Sequence, residues 1–184
     1  GENFLYTTIP LGIVFNELAI VTITLKETPL LNDFAEGRVR SFFTYKKTRF
    51  ILQILYKNAT KYLQYLKHID KASTRIQNEL AKSMKNKELI QLMALEKSLV
   101  FFSTSLTSNE IVLEKMMKLD YVKKYQDDTD LLEDVIIENK QAIEMCNIYR
   151  DILSGTMDAF ASLISNNLNI VMKLLAAITI ILSI

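Results

Sequence analysis

One row of residues near the C-terminal end has the types and spacing for ion chemistry. Asp158, Ser162, Ser165, Asn169, Met172, Ala176, Thr179 and Ser183 recur at steps of four and three. That spacing sets them along one side of a helix. The row is mostly polar or small, and it enters a stretch that is otherwise apolar. Two readings fit. Ser, Thr and Ala are favoured where membrane helices pack, so the row could be a helix–helix seam. Alternatively, several copies of the helix could line a water-filled pathway. Asp158 would then attract cations at its mouth, and hydroxyl and amide oxygens would hold or replace their hydration water.

The other reactive residue types do not combine into a site. His68 is the only histidine, and it has no cysteine at ligand spacing; metal sites need several such ligands together. It reads as a partly exposed helix residue. Cys146 is the only cysteine, which rules out an internal disulfide and fits a reduced compartment. It falls among apolar residues and reads as a packed thiol. No glycine-rich phosphate loop or nucleophile elbow is present, so an enzyme is the least favoured class. The 22 Lys and Arg against 21 Asp and Glu give no general basic surface for nucleic acid.

What must position the row is a very long helix. Between Asp128 and Ile184 there is no proline and one glycine, Gly155. Leu132, Val135, Asn139, Ala142, Cys146, Tyr149, Leu153, Thr156, Phe160, Leu163, Asn167, Ile170 and Leu174 repeat every seven residues in alternating steps. That is the seam of a helix packed on other helices. At ~1.5 Å per residue the rod reaches roughly 85 Å, too long for one small domain to cover. Asp127 or Asp128 is the expected N-cap.

Both prolines and three of the four glycines lie before residue 40, so the breakers sit at one end. Ile9–Phe15 and Ala19–Leu25 read as two strands joined at Asn16-Glu17, the edge of a larger sheet. Leu30–Glu36 reads as one helical turn. A long helix should start near Lys46, with Ile51, Leu55, Ala59, Tyr62, Leu66, Ile69, Ile76 and Leu80 on its apolar face. Lys85-Asn86-Lys87 should connect it to an antiparallel partner carrying Leu89, Leu92, Leu95, Leu99 and Phe102. The Ser- and Thr-rich stretch from Ser103 to Glu110 predicts a bend, and Leu119–Asp130 predicts a loop. The fold class is therefore predominantly α: long antiparallel helices, a very long C-terminal stalk helix and a small N-terminal β-hairpin or sheet remnant of an α/β domain. The expected divisions are 1–45 for that remnant, 46–118 for the helical pair and 127–184 for the stalk.

Leu174–Ile184 carries no charge but is shorter than the ~20 residues that span a bilayer. It reads as the first half of a transmembrane helix, with Lys173 as its cytoplasmic flank. The start lacks a basic signal region and a methionine, so a piece of a longer protein is expected.

These residues resemble a known family. Asp151-Ile152-Leu153-Ser154-Gly155 followed by Asp158 is similar to the end of the stalk in CorA-type magnesium transporters. Asn169-Ile170-Val171-Met172-Lys173-Leu174-Leu175 is similar to that family's N-x-V-M-K-x-L entry into its first transmembrane helix. Two departures stand out: Ala176 replaces a common Thr, and Ser105–Asn109 lacks a proline often found in the second helix. The family's Gly-Met-Asn signature would lie beyond Ile184.

The resemblance implies a homopentamer in the cell (inner or plasma) membrane, with this portion cytoplasmic and five stalk helices around the ion path. It implies that Asp158, Ser165 and Asn169 line the pore, and that Met172 and Leu175 are apolar pore-side positions. It matches Asp134 to an aspartate that binds a regulatory divalent ion between subunits; otherwise Asp134 is a solvated carboxylate in the helix's first turns. Mg²⁺ is the implied substrate and regulatory ion, and Co²⁺, Ni²⁺ and Zn²⁺ occur among relatives. Partners would be further copies of the chain and the lipid bilayer, with no nucleic acid. The rival is a membrane-tethered coiled coil of structural or signalling role that moves no ions.

Overall fold

The computed structural model describes residues 5–39, 41–83 and 86–183. The expected connection at Lys85 lies outside them. The fold is predominantly helical with one small hairpin, as the sequence predicts.

β1 (Leu11–Phe15) and β2 (Ile20–Thr24) pair antiparallel, with Ile13 opposite Thr22 and Phe15 opposite Ile20. Asn16 makes the turn: its Oδ1 accepts from the backbone N–H groups of Leu18 and Ala19, both at 2.8 Å. This Asx geometry is why the strands end there. Leu11 and Ile13 pack inward on Leu30, Phe34 and Ile54, while Val14, Val21 and Ile23 face outward.

α1 (Pro29–Ala35) is longer than the single turn predicted. Thr28 caps it, its hydroxyl accepting from Leu31 N–H at 3.2 Å, and Pro29 opens it. Asp33 ties α1 to the next helix. Lys61 Nζ lies 2.9 Å from its carboxylate and Arg38 Nε 3.0 Å. The Lys61 hydrogen bond is the leading reason its pKa falls below the ordinary value.

α2 (Lys47–Ser83) and α3 (Asn86–Met116) form the antiparallel pair. The predicted apolar face of α2 is buried or half-buried throughout. Leu52 and Ile54 are buried too, although the single stripe omits them. Each has its own cover. Leu52 meets Leu113, Val122, Leu132 and Val135, whereas Ile54 meets α1.

The predicted bend in α3 is absent: the helix runs unbroken from Asn86 to Met116. Its hydroxyls do not compete with the helix. Thr104 and Ser108 donate back to the carbonyls of Val100 and Thr104 at 2.9 Å each. Ser105 instead donates to Thr8 Oγ1 at 2.8 Å, and Ser98 Oγ accepts from Tyr6 N–H at 2.9 Å. Ser98 and Ser105 thus hold the extended N-terminal segment, beside the buried Leu99, Phe102, Leu106 and Leu113, and Tyr6 packs edge-on to Phe102.

The predicted loop at 119–130 is also mostly helical. α4 (Asp120–Lys123) buries Val122, and α5 begins at Gln126. Tyr125 is the N-cap, with no side-chain cap bond, so neither Asp127 nor Asp128 fills that place. Both lie in the first turn, where negative charge still suits the helix dipole. Asp128 is only 5% exposed, and Arg49 Nη1 reaches its Oδ1 at 3.4 Å.

α5 (Gln126–Leu182) is a single helix of 57 residues. Two hydrogen bonds fix its register on α3. Asn139 Nδ2 donates to Leu106 O at 3.0 Å, and Cys146 Sγ donates to Leu99 O at 3.0 Å. Each helix advances seven residues between the two bonds, in opposite directions. α5 is therefore antiparallel to α3 and parallel to α2. The same register carried back to Asn86 ends level with Ala159, so α5 outruns its partners there. The predicted seam divides accordingly. Leu132, Val135, Asn139, Ala142, Cys146 and Leu153 are buried, Tyr149, Thr156 and Phe160 are half-buried, and Leu163, Asn167, Ile170 and Leu174 are exposed.

Cys146 is fully buried, and burial pushes its thiol up to about 11. The thiolate is the alkylated species, so the folded protein at pH 8 should react with iodoacetamide about 100-fold more slowly than the unfolded chain. Rates measured with and without denaturant check this. The folded pKa exceeds the unfolded one, so the stability tied to the neutral thiol is complete below the unfolded value. It is lost as pH rises from about 9 towards about 11.

Candidate functional site

The row begins where α5 leaves the bundle. From Ser165 to Leu182 every residue of α5 is exposed, as is its C-cap Ser183. At ~100° per residue, Ser165, Asn169 and Met172 lie within about 40° of Asp158. Leu175 falls about 60° round the helix from Met172, at the flank of the row. Met172 and Leu175 are 59% and 53% exposed.

The polar members differ in what they offer. Ser162 and Thr179 donate to the carbonyls of Asp158 and Leu175 at 2.9 and 2.8 Å, and Ser183 donates to Ile180 O at 2.9 Å. Their protons are spent on their own helix, which leaves oxygen lone pairs facing out. Ser165 and Asn169 have no side-chain hydrogen bond among the described residues. Asn169 therefore presents a whole unengaged amide between exposed Leu168 and Ile170.

Two further carboxylates share the heptad position of Asp158: Glu144 and Asp151, both exposed. The three lie within about 40° around the helix and about 10 Å apart along it. Arg150 Nη2 comes within 3.6 Å of Asp151. The sequence signal was the same seven-residue period, continued N-terminally from Asp158.

Asp134 stands apart. It is exposed on the bundle part of α5, roughly 36 Å before Asp158 along the axis and about 120° round it. The structure does not bring the two together. Among the described residues, no three His, Cys, Asp or Glu side chains gather into a metal-holding group. A divalent ion at Asp134 would therefore draw its other protein ligands from outside this set. His68 is exposed on α2, with its ring edge-on to Tyr65.

Two described helices are long and apolar enough to cross a membrane, α3 and α5. The apolar stretch of α3 is partly covered by the bundle, whereas that of α5 is wholly uncovered. Exposure climbs to 81% at Leu182.

The long helix α5 leaves the bundle it forms with α2 and α3 and carries an oxygen-bearing row on its free half. The family model described as "CorA-like Mg2+ transporter protein" matches residues 3–184, and the chain belongs to that family. It is similar to the cobalt/magnesium transport protein CorA of Methanocaldococcus jannaschii, with 25% identity over 182 residues. That match takes in 94% of this chain and 56% of the relative. The complete structure of the CorA magnesium transporter from that organism superposes with a TM-score of 0.74 at 21% identity. It covers 93% of this chain and 59% of that one. The structure of the soluble domain of the same protein gives 0.65 at 20% identity, over 86% and 70%. These two likenesses establish the shared fold. The chain spans a little over half the length of the curated relative it matches.

Proposed function

We propose that this chain is the bundle and stalk of a divalent-cation channel or transporter whose principal substrate is Mg²⁺, with Co²⁺, Ni²⁺ and Zn²⁺ as further candidates. The observation that carries the reading is the row Asp158, Ser165 and Asn169 on a helix face with no partner in its own chain. A helix meant only to sit in lipid has no use for an unengaged amide, because a polar group in hydrocarbon without a partner is costly. Five copies of α5 around an axis would turn each position into a ring. The rings at Glu144, Asp151 and Asp158 would concentrate cations ahead of Asn169, whose amide oxygens would hold a hydrated ion. Met172 and Leu175 would form an apolar constriction. The protein would sit in the cell membrane, with the bundle on the cytoplasmic side.

Asp134 is the proposed regulatory site. A Mg²⁺ ion bridging it to carboxylates of the next subunit would stabilise a closed ring. Losing the ion would leave those carboxylates in mutual repulsion and let the stalks spread. The ion shifts that balance only by its differential affinity for the two states.

The test is growth of a Mg²⁺-transport-deficient strain carrying the full-length gene. Rescue at low external Mg²⁺ is expected, together with uptake of Mg²⁺ into loaded vesicles. A full-length protein that inserts and assembles but neither rescues nor takes up any of the four ions would overturn the reading in favour of a tethered coiled coil.

A further inference from the structure

A cavity of ≈310 Å³ lies where β1, α2, α3 and α5 meet. Its walls are apolar, formed among others by Leu11, Ile13, Leu55, Val112 and Met116. Tyr121 stands at one side, its ring edge-on to Phe15 at 5.6 Å. Into this lining come three asparagines from three different helices: Asn58 of α2, Asn109 of α3 and Asn139 of α5.

Their amides are not consumed by the fold. Asn139 is only 2% exposed, and its Nδ2 is given to Leu106 O. Its Oδ1 has no hydrogen-bond partner among the described residues. The half-buried side chains of Asn58 and Asn109 have no hydrogen-bond partner among them either. The unbonded amide atoms of all three stay within reach of water, so their hydrogen-bonding capacity is open to a ligand that takes the water's place. The volume is at the lower end for small-molecule pockets.

We propose that this cavity binds a small uncharged molecule with an apolar body and a head that both donates and accepts hydrogen bonds, such as a primary carboxamide. No charged side chain lines the cavity, so an ion there would be left uncompensated. A purely apolar occupant would displace water from the three amides and offer them nothing in return. A carboxamide pairs with an asparagine amide in both directions at once. The occupant would touch the hairpin and all three long helices, Val135 and Asn139 of α5 among them. This assignment does not rest on the transport reading.

The probe is 4-fluorobenzamide, followed by ¹⁹F NMR on the full-length protein in detergent, with 4-fluorotoluene as the apolar control. A ligand of this size should bind with a Kd of about 1 mM. Asn109→Leu should weaken the benzamide about fivefold and leave the toluene at least as tightly bound as before. Asn58→Ala provides a second variant, and circular dichroism verifies the fold of each. Several results would overturn the assignment: no binding at about 10 mM, equal affinity of the benzamide for wild type and both variants, or a preference of the wild type for the toluene.

Discussion

Asn169→Leu in the full-length protein is expected to cut the proposed Mg²⁺ uptake on the order of 10- to 100-fold while the proposed pentamer still assembles. The argument starts from what the side chain does alone. Asn169 makes no hydrogen bond within the described residues, and its helix face is uncovered. Its removal therefore takes nothing from the fold of one chain. Leucine matches it in size and increases apolar contact with lipid or neighbouring helices. Any large loss must come from the pathway. A hydrogen bond to a charged partner contributes about 1.5–3 kcal/mol. Each 1.4 kcal/mol added to a barrier is about tenfold in rate. In the proposed ring of five the loss would be repeated around the ion. Vesicle uptake of Mg²⁺ with assembly followed by cross-linking is the measurement. Unchanged uptake by a correctly assembled variant would remove Asn169 from the pathway. Ser162→Ala is the comparison, because the Ser162 hydroxyl already donates to its own helix at 2.9 Å. It should change uptake less than Asn169→Leu does.

The comparison between these two residues also shows what a sequence can and cannot reveal. Periodicity placed both on one face of α5, and that placement holds. It could not show which of them has its proton engaged, because the back-bond to residue i−4 is a rotamer choice. Likewise, the heptad from Leu132 to Leu174 reads as one seam along its length. The structure divides it near Ala159, because the pattern of one helix does not reveal where its partners end. The missed helical continuity of α3 has a similar origin. Ser and Thr weaken a helix only when their hydroxyls compete with its backbone bonds. Here they donate backwards or hold Tyr6 and Thr8, which are far away in sequence. Glu144 and Asp151 were legible, since they simply continue the period of Asp158. The cavity asparagines were not. Asn58, Asn109 and Asn139 lie on three separate helices, and only the docking of those helices brings them together.

Asp134→Ala should relieve inhibition by internal Mg²⁺, raising the half-inhibiting concentration at least about tenfold, with uptake at low internal Mg²⁺ unchanged. A tenfold shift corresponds to about 1.4 kcal/mol of lost coupling, within reach of one carboxylate lost from a divalent site. The location makes the test clean. Asp134 is exposed and makes no ion pair among the described residues, so alanine should not disturb the bundle. It lies about 120° round α5 from Asp158, so it cannot share the face on which ions would move. An effect on gating is therefore separable from an effect on conduction. The buried neighbour Asp128 is the contrasting case. It is held against Arg49 at the base of α2, and Asp128→Ala would remove the charged partner of that guanidinium and leave it only the Asp127 carbonyl at 3.3 Å. Asp128→Ala should lower the melting temperature, whereas Asp134→Ala should leave it in place and shift only the response to Mg²⁺. If Asp134→Ala left the inhibition curve where it was, the regulatory ion would have to be held elsewhere. The exposed Asp127 and Asp130 of the first turns would then be the next positions to substitute.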